Sequence, residues 1–198
     1  MATLIISTNT TLDGVTEDPD GSEGSPHGGW WADVTAIDRD AWVETETMEV
    51  HGAAALLIGR RSYEFFASRW ATRTGEFADG MNDIPKYVVS STLTESTWNN
   101  PKVLNGPLGE EVARLKNSID GELLVYGSAT LARALFGLGL VDGLRIILFP
   151  SVAGAGARLF GPGRPTGSLR LIEHRVVGEN LAFVAHEVVH SHTGPTHG

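Results

Sequence analysis

Short β-prone runs alternate with helical stretches along the whole chain, and this alternation limits the possible folds more than any other feature. Thr3 to Thr8 is too short for a helix and rich in β-formers, so it reads as a strand. Ile37, Ala41 and Met48 then fall at helical spacing, with Asp38 as the expected N-cap. Ala54 to Ile58 reads as a buried strand, and Gly59 opens a helix with Tyr63, Phe66, Ala67 and Trp70 on one face. Strands are expected at Lys86 to Ser91 and Lys102 to Leu104. A helix then carries Leu108, Val112, Leu115 and Ile119 on one side. Glu122 to Tyr126 is the next strand, Gly127-Ser128 opens a helix through Leu131, Leu135 and Leu138, and Leu144 to Phe149 is again a strand. Two alternating runs, Leu169 to Val177 and Leu181 to Val189, joined by Gly178-Glu179-Asn180, form an antiparallel hairpin.

The expected fold is α/β: a mostly parallel central sheet of about eight strands, an antiparallel C-terminal hairpin and four helices on both faces. Residues 1–189 make one domain, and the polar, His-rich residues 190–198 read as a flexible tail. A Gly/Pro/Asp-rich stretch from Asp13 to about Asp33 interrupts the pattern. Loops of this length are usually functional lids or disordered, and Trp30 and Trp31 argue against disorder because they need a surface to cover.

Composition narrows the function classes. Without cysteine there are no disulfides, thiolate metal sites or cysteine nucleophiles. A net charge of -9 with scattered basic residues disfavours a nucleic-acid surface, while leaving room for a local phosphate pocket at Arg60-Arg61. The histidines lack metal-ligand spacing, and no G-x-S-x-G nucleophile elbow occurs. No apolar run reaches membrane-spanning length and no signal peptide is evident, so the expectation is a soluble, cytoplasmic protein.

Ligands of open α/β sheets sit beyond the carboxyl ends of the strands. Gly59-Arg60-Arg61-Ser62 lies at such a junction, where free helix amides, a glycine and two guanidinium forks suit an anion. A helix start with two solvated arginines explains the same residues about as well. Tyr126-Gly127-Ser128-Ala129-Thr130 repeats the design, although a plain Gly-Ser cap also accounts for it. Ser90, Ser91 and Thr92 end the intervening strand with three hydroxyls. Gly154 to Leu159 fails as a dinucleotide fingerprint, because it opens no helix within a βαβ unit.

Five motifs in order resemble a known family. Thr11-Leu12-Asp13-Gly14 resembles the S-L-D-G motif of the reductase domain of riboflavin biosynthesis, with threonine in place of serine. Leu56 to Glu64, Lys86 to Leu93, Val125 to Leu131 and Gly139 to Phe160 match its further landmarks, so the resemblance spans roughly Ala2 to Val189. It places the chain near the C-terminal reductase domain of the bifunctional deaminase-reductase, within the dihydrofolate reductase-like superfamily.

The resemblance implies an NADPH-dependent oxidoreductase that passes hydride to a C=N or C=O bond of a small pterin- or pyrimidine-like substrate. Gly59, Arg60, Arg61 and Ser62 would hold the adenosine side of NADPH, with the arginines and Ser90 or Ser91 near its 2′-phosphate and Thr92 also at the cofactor. The run Tyr126, Gly127, Ser128, Ala129, Thr130 and Leu131 would cradle the pyrophosphate, and Thr8 and Asn9 would line the nicotinamide. Thr11 and Asp13 would flank the reacting centre as the catalytic pair, while Trp30, Trp31 and Tyr63 would offer stacking surface to the substrate. Core packing is the competing explanation for Tyr63. Of the carboxylates on the first helix, Asp38 and Glu44 are candidates for the acid of a dihydrofolate reductase, and capping or solvation also explains each. A homodimer is expected. The alternative readings are a non-catalytic nucleotide- or ligand-binding module and a flavin-binding reductase.

Overall fold

The computed structural model describes residues 1–95, 98–99, 101–161 and 167–189. The tail expected at 190–198 lies outside the described residues. Among the described residues eight strands form one sheet in the order β4-β3-β2-β5-β1-β6-β8-β7. They are β1 (Thr3–Thr11), β2 (Ala55–Gly59), β3 (Lys86–Val89), β4 (Lys102–Leu104), β5 (Glu122–Tyr126), β6 (Gly143–Phe149), β7 (Ser168–Val177) and β8 (Leu181–Val189). Pairing from β4 through to β6 is parallel, and β8 is antiparallel to both β6 and β7. The hairpin is therefore as expected.

Side chains alternate across the sheet and build two layers of core. Leu4, Ile6, Leu57, Leu123, Val125 and Leu144 pack on one face against α4 (Leu108–Ser118) and α5 (Ala129–Gly137). On the other face, Ile5, Leu56, Ile58, Leu124 and Val88 meet α1 (Ala36–Gly52), α2 (Arg60–Trp70) and α3 (Glu76–Asp83). Trp30, Trp42, Phe149 and Phe183 extend that layer toward the hairpin.

Two expectations about helices need correction. The described residues form five α-helices, because the stretch read as a polar loop after Trp70 contains α3. Its glycine, asparagine and acids hid a short apolar stripe, Phe77, Ala78 and Met81, which is buried. In α1 the buried face is also different. Ile37 and Met48 are each 56% exposed, whereas Asp38, Trp42, Thr45, Glu46, Glu49 and Val50 face inward. Thr35 is the N-cap, and Asp38 at N3 completes a capping box with it.

Among the described residues no helix is long and apolar enough to cross a membrane. Edge strand β7 leaves Leu171, Ile172 and Val176 exposed.

Candidate functional site

Parallel pairing brings the carboxyl ends of β3, β2, β5, β1 and β6 to one rim. Gly59 pairs with Val89, Ser7 with Tyr126, and Thr11 with Phe149, so the junctions after β2, β3 and β5 are neighbours there. The start of α2 and the start of α5 interlock. Ser128 Oγ accepts the Gly59 N–H at 3.0 Å, and Ser62 Oγ accepts the Ser128 N–H at 3.1 Å. Both serine hydroxyls are thus engaged in joining the two turns.

Neither helix start has a side-chain cap. Amides of the first turn therefore lack intrahelical partners and face the rim. Gly127 has φ 62° and Ser128 has φ 49°, after which Ala129 turns helical. A left-handed residue followed by a helical one gathers successive N–H groups into an anion-holding concavity. The glycine is required: a Cβ at Gly127 would lie 3.4 Å from Phe66 in a backbone region that side chains rarely adopt. Arg60 and Arg61 are exposed beside this concavity, Arg60 being paired only loosely to Glu64 at 3.3 Å. Ser90 Oγ instead closes a local turn by accepting the N–H groups of Thr92 and Leu93, which leaves Ser91 and Thr92 exposed. Tyr126 and Leu131 are buried, so at those two positions only the backbone faces the cradle.

Thr11 and Asp13 are committed to a structural clamp. The Thr11 hydroxyl donates to Asp13 at 2.6 Å and accepts the Val15 N–H. Asp13 also accepts the N–H groups of Ala153 and Gly154, and Arg158 binds it at 3.3 Å. The Thr11 hydroxyl and these amides pull its carboxyl down to about 2. Asp13 is therefore an anion at neutral pH, engaged in tying the end of β1 to the 153–158 loop rather than poised to donate a proton. Thr8 and Asn9 point to opposite faces of the sheet, as consecutive strand residues must. Asn9 faces α1, where Trp42 Nε1 donates to its Oδ1 at 3.2 Å.

The long loop is ordered by Asp18. Its carboxylate accepts the N–H groups of Glu23 and Ser25, and its carbonyl accepts those of Gly21 and Gly29. Arg69 of α2 ties the loop down through Asp20 at 2.6 Å. Trp30 is 5% exposed, stacked edge-on against Phe149 at 5.1 Å with its indole N–H on the Glu17 carbonyl. It is core rather than stacking surface. Tyr63 is fully buried, and its hydroxyl bridges the backbone C=O and N–H of Trp98, so it cannot reach a substrate either. Trp31 remains half-buried, edge-on to Trp42 at 4.2 Å, and stands over the α1 side of the rim.

The carboxylates that face the sheet from α1 are Glu46 and Glu49. Glu44 is exposed, and Asp38 holds the β7–β8 turn. Glu46 is 1% exposed and its Oε2 has no hydrogen-bond partner. Burial and the neighbouring Glu49 charge push its carboxyl well above the usual range, against hydrogen bonding from Asn9 and Trp42. Burial likewise raises Glu49, while Ser7 and Arg145 oppose the rise. The spacing Trp42, Glu46, Glu49 is helical and carried the signal. That signal is masked in the sequence because carboxylates are not expected on a buried face.

The family model of the RibD C-terminal domain matches residues 2–183. The chain belongs to this family. Among RibD C-terminal relatives and solved structures, a Shewanella sp. PV-4 protein provisionally named for riboflavin biosynthesis superposes with a TM-score of 0.69 at 21% identity, covering 96% of this chain and 100% of that one. The deaminase/5-amino-6-(5-phosphoribosylamino)uracil reductase of Thermotoga maritima gives 0.62 at 14%, covering 95% of this chain and 57% of its own. Dihydrofolate reductase of Enterococcus faecalis, complexed with NADP(H), gives 0.56 at 12%, with 94% and 96% covered. The fold is dihydrofolate reductase-like. Uncharacterized protein YyaP of Bacillus subtilis (strain 168) is 31% identical over 101 residues, or 51% of this chain and 53% of YyaP, so the match spans about half of that relative. Membership of the RibD C-terminal family together with this fold makes the chain reductase-like.

Proposed function

We propose that this RibD C-terminal domain, residues 1–189, is an NADPH-dependent reductase of a small, planar, pterin- or pyrimidine-like substrate. The observation that carries the reading is the pair of interlocked, uncapped helix starts at Gly59 and Ser128, with two exposed arginines beside them. Such a rim fits a dinucleotide: the uncapped helix start that follows Ser128 suits a pyrophosphate, and Arg60 and Arg61 suit a further phosphate. Names among the relatives support it, one being a uracil reductase and another a dihydrofolate reductase complexed with NADP(H).

When bound, NADPH supplies the hydride. The chain's own residues orient the ring and hold the proton. Asn9 stands at the rim end of α1, fixed by Trp42. Glu46 lies behind them, its carboxyl raised well above the usual range because burial disfavours its anion, and is assigned as the proton donor. Trp31 closes over Trp42 and keeps water from the reacting centre. A second copy of the chain is the proposed cover for edge strand β7, since an exposed apolar edge invites pairing.

Binding of NADPH and NADH, followed by quenching of tryptophan fluorescence, tests the reading. NADPH should bind more tightly by a factor of roughly ten or more, and Arg60→Ala with Arg61→Ala should remove most of the difference. Equal affinity for the two cofactors in the unaltered protein would sink the assignment of the arginines to the 2′-phosphate.

A further inference from the structure

Glu46 is sealed on its rim side by Trp42, which is 7% exposed, stacked against Trp31 and bonded to Asn9. A carboxyl in that position gives up one proton per turnover and must regain one while the aromatic cover is in place. The opposite side of α1 offers the route. A cleft of about 350 Å³ opens there between α1 and strands β5 to β8, lined by Thr45, Glu49, Glu122, Arg145, Glu173 and Arg175.

Glu49, unlike Glu46, lines this cleft. It lies three residues further along α1, on the same helix face. Ser7 Oγ donates to its Oε2 at 2.6 Å. Its Oε1 meets Arg145 Nη1 only at 3.5 Å, because that guanidinium is engaged by Glu122 at 2.7 and 2.6 Å. Arg145 is thus shared between the two carboxylates, with its closer contacts to Glu122 and the longer one to Glu49, and burial still raises the Glu49 carboxyl. Arg175, the other cation of the cleft, is held by Glu173 and Thr45 and stacks over Phe183. Glu49 is 8% exposed and Glu46 only 1%, so the two carboxyls step inward from solvent.

We infer that Glu49 is a proton relay, carrying protons from water in this rear cleft to Glu46. In each cycle the Glu46 O–H bond breaks toward the substrate, the Glu49 O–H bond breaks toward the Glu46 carboxylate, and a hydronium ion in the cleft reprotonates Glu49. One proton enters for each one delivered, and no electron moves along the path. The proposal rests on the reductase reading for its purpose but not for its measurement.

Infrared spectroscopy of the full chain without substrate provides the test. The stretch of the protonated Glu46 carboxyl, identified by its loss in Glu46→Gln, is followed after transfer into D₂O. Exchange of that proton should slow roughly a hundredfold in Glu49→Gln and recover in Glu49→Asp or with added formic acid. Met48→Trp, at an exposed position lining the cleft, should slow it without altering either carboxylate and covers the case in which Glu49→Gln fails to fold. Unchanged exchange in the soluble variants, or no protonated Glu46 band between about pH 5 and pH 8, overturns the relay. NADPH affinity of the same proteins reports separately on the reductase reading. Its absence beside slowed exchange would remove that reading alone.

Discussion

Ser128 Oγ accepts the backbone N–H of Gly59 at 3.0 Å across 69 residues of sequence, which locks the start of α5 to the end of β2. Ser62 returns the contact by accepting the Ser128 N–H. The two turns therefore move as one unit. Ser62→Ala should cost about 1 kcal/mol in urea unfolding and weaken NADPH binding severalfold. Ser128→Ala should do at least as much, since it leaves a left-handed residue without its bond. The double variant should fall short of the sum, because both bonds serve one joint. Additive losses would mean that the turns act independently.

Asp38 fixes the other end of the rim. Its carboxylate accepts from the Glu179 and Asn180 N–H groups, the Asn180 amide, and both the N–H and hydroxyl of Thr35, at 2.7 to 3.1 Å. Asp38→Ala removes five hydrogen bonds gathered on one buried carboxylate, and a loss on the order of 3 kcal/mol is expected by denaturant titration. Gly178→Ala should be as harmful, since its Cβ would lie 2.6 Å from the Asp38 Cα where φ is +66°.

Asp38 and Glu46 sit on one helix and respond to pH with opposite sign. Burial alone would raise Asp38, but its hydrogen bonds outweigh burial and hold it well below 3.8. The stability it contributes is present above 3.8 and is lost as pH falls through the folded value. Glu46 is raised above 4.5, so the folded chain keeps a proton that the unfolded chain releases, and stability declines as pH rises from 4.5 toward the folded value. Glu46→Gln should therefore raise Tm more at pH 8 than at pH 5, and Asp38→Ala should flatten the acid limb. Thermal melts from about pH 2 to about pH 8 check both signs.

Tyr63→Phe separates core from site. Loss of the hydroxyl strands the Trp98 N–H and C=O, at a cost of about 1 to 3 kcal/mol. NADPH affinity should not change. A lowered affinity with unaltered stability would return Tyr63 to the site.

The alternation of runs made the sheet and its hairpin legible, and the glycine-bearing junctions marked the rim, since chain direction alone puts parallel strand ends together. Glu46 and Glu49 were not legible. A carboxylate is ordinarily solvated, so Ile37 and Met48 were expected on the buried face of α1, where Trp42 and the two glutamates in fact lie. Trp30 and Tyr63 read as stacking surface for a related reason: an aromatic side chain has the same apolar area whether it covers a core or a ligand.

Local pattern and backbone chemistry thus determined the succession of strands along the chain, the connecting turns and the family to which the chain belongs. Which face of α1 turns inward, and which carboxyl is deprived of solvent, was decided only when the helix packed on β1. Desolvation is a property of everything surrounding a group, and no spacing along the chain encodes it.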